Sequence, residues 1–306
     1  MLFRSRVAVS VSTATRRALK RLSAQVFLNG DRFGVHVLPK HYYSPVPDYR
    51  WLAENQSLWR RPVDMTGVDW DLDEQLRWLR EACSQFAGEV RGLAVYRSAE
   101  SGGFGLGYGP IESQVLHAVC RRTKPRRWIE VGSGVTTICT LYALRRNQED
   151  GAPACEVTCI EPFPHAALRQ LEGIRLIPAA VQSVTVEDFS RLEAGDVLFI
   201  DSTHAVKTGS DVTYLLLEIL PRLQPGVLIH LHDIFLPFVC RPDILETYFD
   251  WQETSLLLAL LKGNASLKVR CCLSALHDGR SGAVGEILPD YDPARHFPTK
   301  IGRAHV

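Results

Sequence analysis

Six apolar runs separated by helical stretches set the strongest limit on what this chain can fold into. They read RWIEVG, EVTCIEP, IRLIPAAV, DVLFIDS, GVLIHLHD and LKVRCCLSA, and lie between residues 127 and 275. Apolar runs without strict alternation imply strands buried on both faces. Helical patterns fall between them, at 135–147, 164–172, 187–192, 211–223 and 244–262. Strand alternating with helix predicts an α/β fold with a doubly wound, mostly parallel sheet. Right-handed crossovers then bring every strand C-terminus to one edge, where ligands of such sheets bind. The polar residues of these runs fall at that edge.

The first strand runs into EVGSGVTT, which puts Glu130, Gly132 and Gly134 on the turn into the next helix, with Thr136 one residue inside it. Glycines there permit backbone dihedrals and a close approach that a side chain would block. A dinucleotide-binding turn wants a third glycine where Thr137 stands. The second strand ends in Glu161, placed to accept hydrogen bonds from a ribose diol. The pattern Glu130-x-Gly132-x-Gly134-x-Thr136, with an acid closing strand two, resembles the class I S-adenosylmethionine-dependent methyltransferases. The resemblance covers about 110 to 275, and WQETSLLLALLKGN extends it within a prokaryotic, largely uncharacterised branch. It implies a Rossmann-like sheet of order 3-2-1-4-5-7-6, whose antiparallel last strand has only AVGEIL, 283–288, as a poor candidate. It also implies a cofactor, S-adenosyl-L-methionine, held by Glu130, Gly132, Gly134, Thr136, Glu161 and Asp201. Tyr108 and Glu112, just before the core, are placed to close over it.

Strands four and five end in Asp201, with His204 three residues on, and in His232 and Asp233. These edge motifs are similar to those of metal-dependent small-molecule O-methyltransferases. That likeness implies methylation of a small-molecule hydroxyl, with Asp201 and His204 catalytic and His204 the general base. It makes Asp201, His232 and Asp233 a metal group. Mg²⁺ prefers oxygen ligands. An imidazole at 232 shifts the preference toward Mn²⁺, Fe²⁺ or Zn²⁺, or means that no metal binds. His230 shares a sheet face with His232 and reads as a hydrogen-bonded core histidine. Lys207 and Thr208 either line the pocket or face solvent.

A net charge of +1 gives no global field for nucleic acid. No apolar run reaches the roughly 18 residues of a membrane span, and eight scattered Cys suit free thiols in a reducing cytoplasm. The expected partner is a small-molecule substrate, with a homo-oligomer left open. The expected organisation is a cap or lid over 1–105, a methyltransferase core over 106–275 and a tail over 276–306. Within the first part a basic, acid-free start carries Arg4, Arg6, Arg16, Arg17, Lys20 and Arg21. It reads as a surface helix with Leu19, Leu22 and Phe27 inward, or as a transit peptide. The aromatic run His41, Tyr42 and Tyr43 stacks on substrate or packs on the core. A helix from Asp71 follows, with Asp71 and Glu74 forming a capping box, then a Gly-rich connector over 101–110. The ends, 2–5 and 300–306, resemble translated sequencing adapters, so the natural termini are expected to be missing. Two alternatives remain: an NAD(P)-dependent oxidoreductase on the same topology, and a non-catalytic protein that keeps the fold. A nucleic-acid or protein methyltransferase is disfavoured, because DSTH replaces the Asn/Asp-Pro-Pro-Tyr/Phe loop of amino-group methylation.

Overall fold

The computed structural model describes residues 13–38, 40–105 and 107–298. Arg4, Arg6 and the two adapter-like ends lie outside them, as do the side chains of Arg16, Arg17, Leu19 and Lys20. The chain divides into two compact units, Met1–Glu54 and Asn55–Val306. In the first, the basic stretch is a helix, Thr13–Asp31 (α1). Leu22, expected inward, is 60 % exposed, and Tyr42 and Tyr43 are both 85 % exposed. Phe27 is half-buried and stacks on His36 at 5.4 Å.

The second unit is built on a five-stranded sheet of order β3-β2-β1-β4-β5. Its strands are Arg127–Val131 (β1), Glu156–Ile160 (β2), Arg175–Ile177 (β3), Val197–Ile200 (β4) and Leu228–Leu231 (β5). All neighbours pair in parallel. A strand's side chains alternate between faces, so β1 and β4 feed two cores. Ile129, Val131, Leu198 and Ile200 face one, with Leu215, Leu216 and Leu258. Trp128, Val197 and Phe199 face the other, with Leu116, Val135 and Ala143. Burying one such aliphatic or aromatic side chain is worth about 1.5–3 kcal/mol. At the far edge Asp196 pins two strands: its carboxylate accepts from the Arg126, Arg127 and Glu193 amides.

Around the sheet run Leu72–Cys83 (α2), Pro110–Thr123 (α3), Val135–Glu149 (α4), Glu253–Leu261 (α5) and Leu273–Ile287 (α6). Asp71 caps α2 by accepting from the Asp73 and Glu74 amides. Leu79 and Cys83 of α2, Ile111 and Val115 of α3, and Leu276 and Val284 of α6 form a third apolar cluster. No helix among the described residues is long and apolar enough to cross a membrane. All eight cysteines are free.

Two expectations fail here for physical reasons. The run at 267–275 is no strand: it stays unpaired up to Cys272, and α6 begins at Leu273. Its polar groups find other partners, the Cys272 amide on Gln75 and the Ser274 hydroxyl on the Ile234 and Leu236 carbonyls. AVGEIL lies almost wholly inside α6, so among the described residues strands six and seven are absent and β5 is an edge. Short apolar runs read alike as strand or buried helix. The single helix expected over 244–262 breaks into Ile244–Thr247 and α5. The break is at Tyr248, whose φ of 59° is left-handed and cannot continue a helix.

Candidate active site

Strand β1 delivers Glu130 to the core, fully buried. The Thr136 and Thr137 hydroxyls donate to its Oε1 at 2.5 and 2.8 Å, and Trp128 Nε1 donates to Oε2. Burial raises its pKa to about 7 against the lowering effect of those donors. Glu130 therefore lies beneath the turn and ties it down. The Thr137 hydroxyl also accepts from the Gly134 amide at 3.1 Å. A glycine at 137, as a dinucleotide turn requires, would undo both bonds. Gly132 has φ 81°, and a Cβ there would collide with the Asp201 carbonyl. A Cβ on Gly134 would collide with the Phe104 carbonyl, because the Gly-rich connector passes over this turn. The buried Ser133 hydroxyl has no partner. Glu161 closes β2 and accepts from the Ser133 and Phe163 amides at 3.3 and 2.8 Å.

This cradle of two bare glycines, an orphaned hydroxyl and two acids at the start of α4 fits S-adenosylmethionine, whose sulfonium is cationic. The residues that would hold it are Gly132, Ser133, Gly134 and Glu161, with Asp201 beside them. Glu130 and Thr136 act from below by fixing the turn. Tyr108 is buried; the Tyr96 hydroxyl donates to its carbonyl at 2.7 Å, and its ring lies 4.7 Å from that of His232. Glu112, on the first turn of α3, is 5 % exposed.

The ends of β4 and β5 form one charged cluster. His204 is buried, and its φ of 58° is unusual for a non-glycine residue. Its Nδ1 lies 2.7 Å from Glu253 Oε2, and its Nε2 lies 3.3 Å from Asp201 Oδ1 and 3.7 Å from Asp233 Oδ2. The Glu253 amide donates to the His204 carbonyl, and the Trp251 ring packs 4.4 Å from the imidazole. Burial opposes the charged imidazole, but the bonds to Asp201 and Glu253 outweigh it and push its pKa up to about 10. His204 is thus an imidazolium at neutral pH, with both ring nitrogens committed to carboxylates. That state gives no support to the expected role of general base.

Asp201 is held below the usual carboxylate range, because His232 and His204 outweigh its burial. Asp233 behaves oppositely. It is 1 % exposed and left-handed at φ 53°. Neither of its carboxylate oxygens has a hydrogen-bond partner. Burial lifts its pKa to about 6 against the lowering effect of His232 and His204. Two left-handed non-glycine residues facing one another mark strain of the kind that gathers at working sites. His232, whose Nε2 lies 3.6 Å from Asp233 Oδ1, is raised: the charges of Asp201 and Asp233 outweigh its burial. His230 stacks on Phe199 at 4.4 Å, but its Nε2 has no partner, so it is a stacked rather than a hydrogen-bonded histidine. Lys207 and Thr208 are exposed.

Among the described residues no group of three or more His, Cys, Asp or Glu side chains is disposed to hold a metal ion. Asp201, His232 and Asp233 therefore form a charge cluster bridged by imidazoles, not the expected metal group. Residue-by-residue reading missed Glu253, Trp251 and Arg241. Arg241 pairs with Asp243 at 2.8 Å and lies 3.9 Å over the Trp251 ring. The only signal was WQE at the head of the stretch WQETSLLLALLKGN, which the sequence places inside the single helix expected over 244–262.

Residues 129–234 match the model of a family described as a methyltransferase domain. No curated protein matches the chain. Among solved structures it is similar to the SAH-bound methyltransferase PaMTH1 of Podospora anserina, at 14 % identity and a TM-score of 0.34, over 74 % of this chain and 88 % of that one.

Proposed function

We propose that the chain, whose residues 129–234 match a methyltransferase domain, transfers a methyl group from S-adenosylmethionine to a hydroxyl of a small molecule, with Asp233 accepting the hydroxyl proton. The observation that carries this is the Asp233 carboxylate, buried, without a hydrogen-bond partner and with its pKa raised to about 6. A general base works best with a pKa near the operating pH and a free lone pair within hydrogen-bond reach of the proton. His204 and His232 flank Asp233 and hold the carboxylate in place. His204 is a positioning residue, neutralising Asp201 and Glu253 while its ring is fixed by Trp251. When bound, S-adenosylmethionine supplies an electrophilic methyl group. A hydroxyl becomes strongly acidic as its oxygen gains a third bond, so a carboxylate of ordinary strength suffices to take its proton.

The test is incubation of the protein with isotope-labelled S-adenosylmethionine and a metabolite extract, followed by mass spectrometry. A labelled O-methyl product is expected, and Asp233→Asn should lower its formation at least a hundredfold while cofactor affinity stays within twofold. Undiminished turnover by that variant would remove Asp233 as the base. Binding of NADH without binding of S-adenosylmethionine would overturn the whole reading in favour of an oxidoreductase.

A further inference from the structure

Between β5 and α5 the chain carries Arg241, 4 % exposed, which the methyl-transfer chemistry above does not use. A guanidinium holds its N–H donors in one plane and keeps its charge in a protein. The Asp243 carboxylate takes one edge of that plane: Arg241 Nε donates to Oδ1 at 2.9 Å and Nη2 to Oδ2 at 2.8 Å. Aromatic rings lie against the group. Trp251 and Phe249, themselves stacked, have ring centres 3.9 and 5.7 Å from the guanidinium carbon. Such a contact is made with the charge and leaves an N–H free for an oxygen. The Nη1 arm has none: it is buried and without a hydrogen-bond partner.

The guanidinium belongs to the neighbourhood of the charged cluster. The Trp251 ring that it rests on also packs against His204, at 4.4 Å. Its charge reaches Asp233, adding to the lowering effect of His232 and His204 there. Leaving a buried donor unpaired is costly, so the arm is set for a group that brings an oxygen. Which oxygen follows from the charges. Asp243 already balances the guanidinium, so what is missing is a hydrogen-bond acceptor and not a counter-ion. In the adjoining cluster Asp201, Asp233 and Glu253 outnumber His204 and His232. A further carboxylate would add to that excess where water screens little; a neutral carbonyl oxygen would not.

We propose that Arg241 determines specificity, its Nη1 arm receiving a neutral carbonyl oxygen of the acceptor. The substrate class is then a hydroxylated ketone, ester or amide, rather than a hydroxy acid or a plain alcohol. This rests on the reading above that a hydroxyl is methylated at Asp233. Of the two rings against Arg241, Phe249 is the more open, at 44 % exposed, and the acceptor reaches Nη1 by turning it aside.

The meta and para hydroxyacetophenones test this against the ethylphenols and hydroxybenzoates of the same pattern, by titration calorimetry in the presence of S-adenosylhomocysteine. At one spacing or both, the ketone is expected to bind at least about tenfold tighter than the ethylphenol, the worth of a hydrogen bond from a charged donor, and tighter than the hydroxybenzoate. Arg241→Met should bring ketone and ethylphenol within about twofold of each other; Arg241→Lys, which keeps a cation for Asp243 but no second arm, should do the same where the first variant fails to fold. Equal or unmeasurable binding of ketone and ethylphenol by the wild type at both spacings overturns the assignment. So does a ketone preference that survives in a folded variant, or tighter binding of the hydroxybenzoate. Failure of the methylation reading shows instead as no labelled product from any acceptor, with or without a carbonyl.

Discussion

At the scale of single residues, His204 decides the electrostatics of the site. One imidazolium sits among Asp201, Asp233 and Glu253, and two of these three carboxylates are essentially sealed from solvent. His204→Gln keeps the size and removes the charge. Stranding buried carboxylates typically costs several kcal/mol, so the variant should lose about 3 kcal/mol or more in urea unfolding at neutral pH. The sign with pH follows from the pKa, raised from 6.5 to about 10. A group raised on folding stabilises fully below its unfolded pKa, and that contribution fades as pH rises through the folded one. The gap between wild type and variant should therefore be widest below about pH 6.5 and close as pH passes about 10. A gap that stays constant from pH 6 to 10.5 would show that the lost stability is packing rather than charge. The sequence made half of this legible. Asp201 lies three residues before His204, and strand logic carries both to the edge. Glu253 lies 49 residues away, and only the fold brings it to Nδ1. The carboxylates of Asp201 and Glu253, acting against burial, favour the imidazolium, and a residue string does not report which carboxylates the fold brings to a histidine.

At the scale of elements, the turn between β1 and α4 holds two glycines that do different work. Gly132 has a left-handed φ and faces the rigid main chain at the end of β4. Gly134 has extended backbone and faces the carbonyl of Phe104 on the Gly-rich connector. Gly132→Ala should therefore cost stability outright, by more than about 2 kcal/mol, because strain and collision coincide. Gly134→Ala should cost less than Gly132→Ala, because its backbone is extended and only the collision remains, but it must push the Phe104 carbonyl and the connector away. Limited proteolysis distinguishes them: faster cleavage within 101–110 is expected for Gly134→Ala alone. Equal protection of that segment in both variants would mean that the connector does not rest on the turn. Five strands and the glycine turn were readable because an apolar run closing on a polar residue has few other uses. The stretch 267–275 was not, because Val269, Cys272 and Leu273 serve an unpaired wall and a helix start as well as they would serve a strand. What settles the choice is tertiary, namely Gln75 and the Leu236 carbonyl taking up the main-chain and side-chain donors at Cys272 and Ser274.

At the scale of the whole molecule, the apolar material is unevenly shared. Every residue of the three apolar clusters lies at Val63 or beyond. In Met1–Glu54, by contrast, Phe33, Tyr42, Tyr43 and Trp51 are exposed by 83, 85, 85 and 48 %. Hydrophobic burial is the dominant favourable contribution to folding, so the unit with the clusters should carry the stability. The composition of the chain hides this, because the aromatics near the start look as core-forming in sequence as those of the sheet. A chain trimmed to residues 55–306 is expected to unfold in one cooperative transition, with a urea midpoint and slope matching the main transition of the full chain. The slope is the sharper measure, since it follows the surface exposed on unfolding. A slope reduced by more than about a fifth, or loss of cooperativity, would show that the first 54 residues complete a core that the clusters of the second unit do not close by themselves. If the slope holds, the sheet, the glycine turn and the charged cluster around His204 form a self-sufficient frame, and the methyl-transfer experiments can be carried out on it directly.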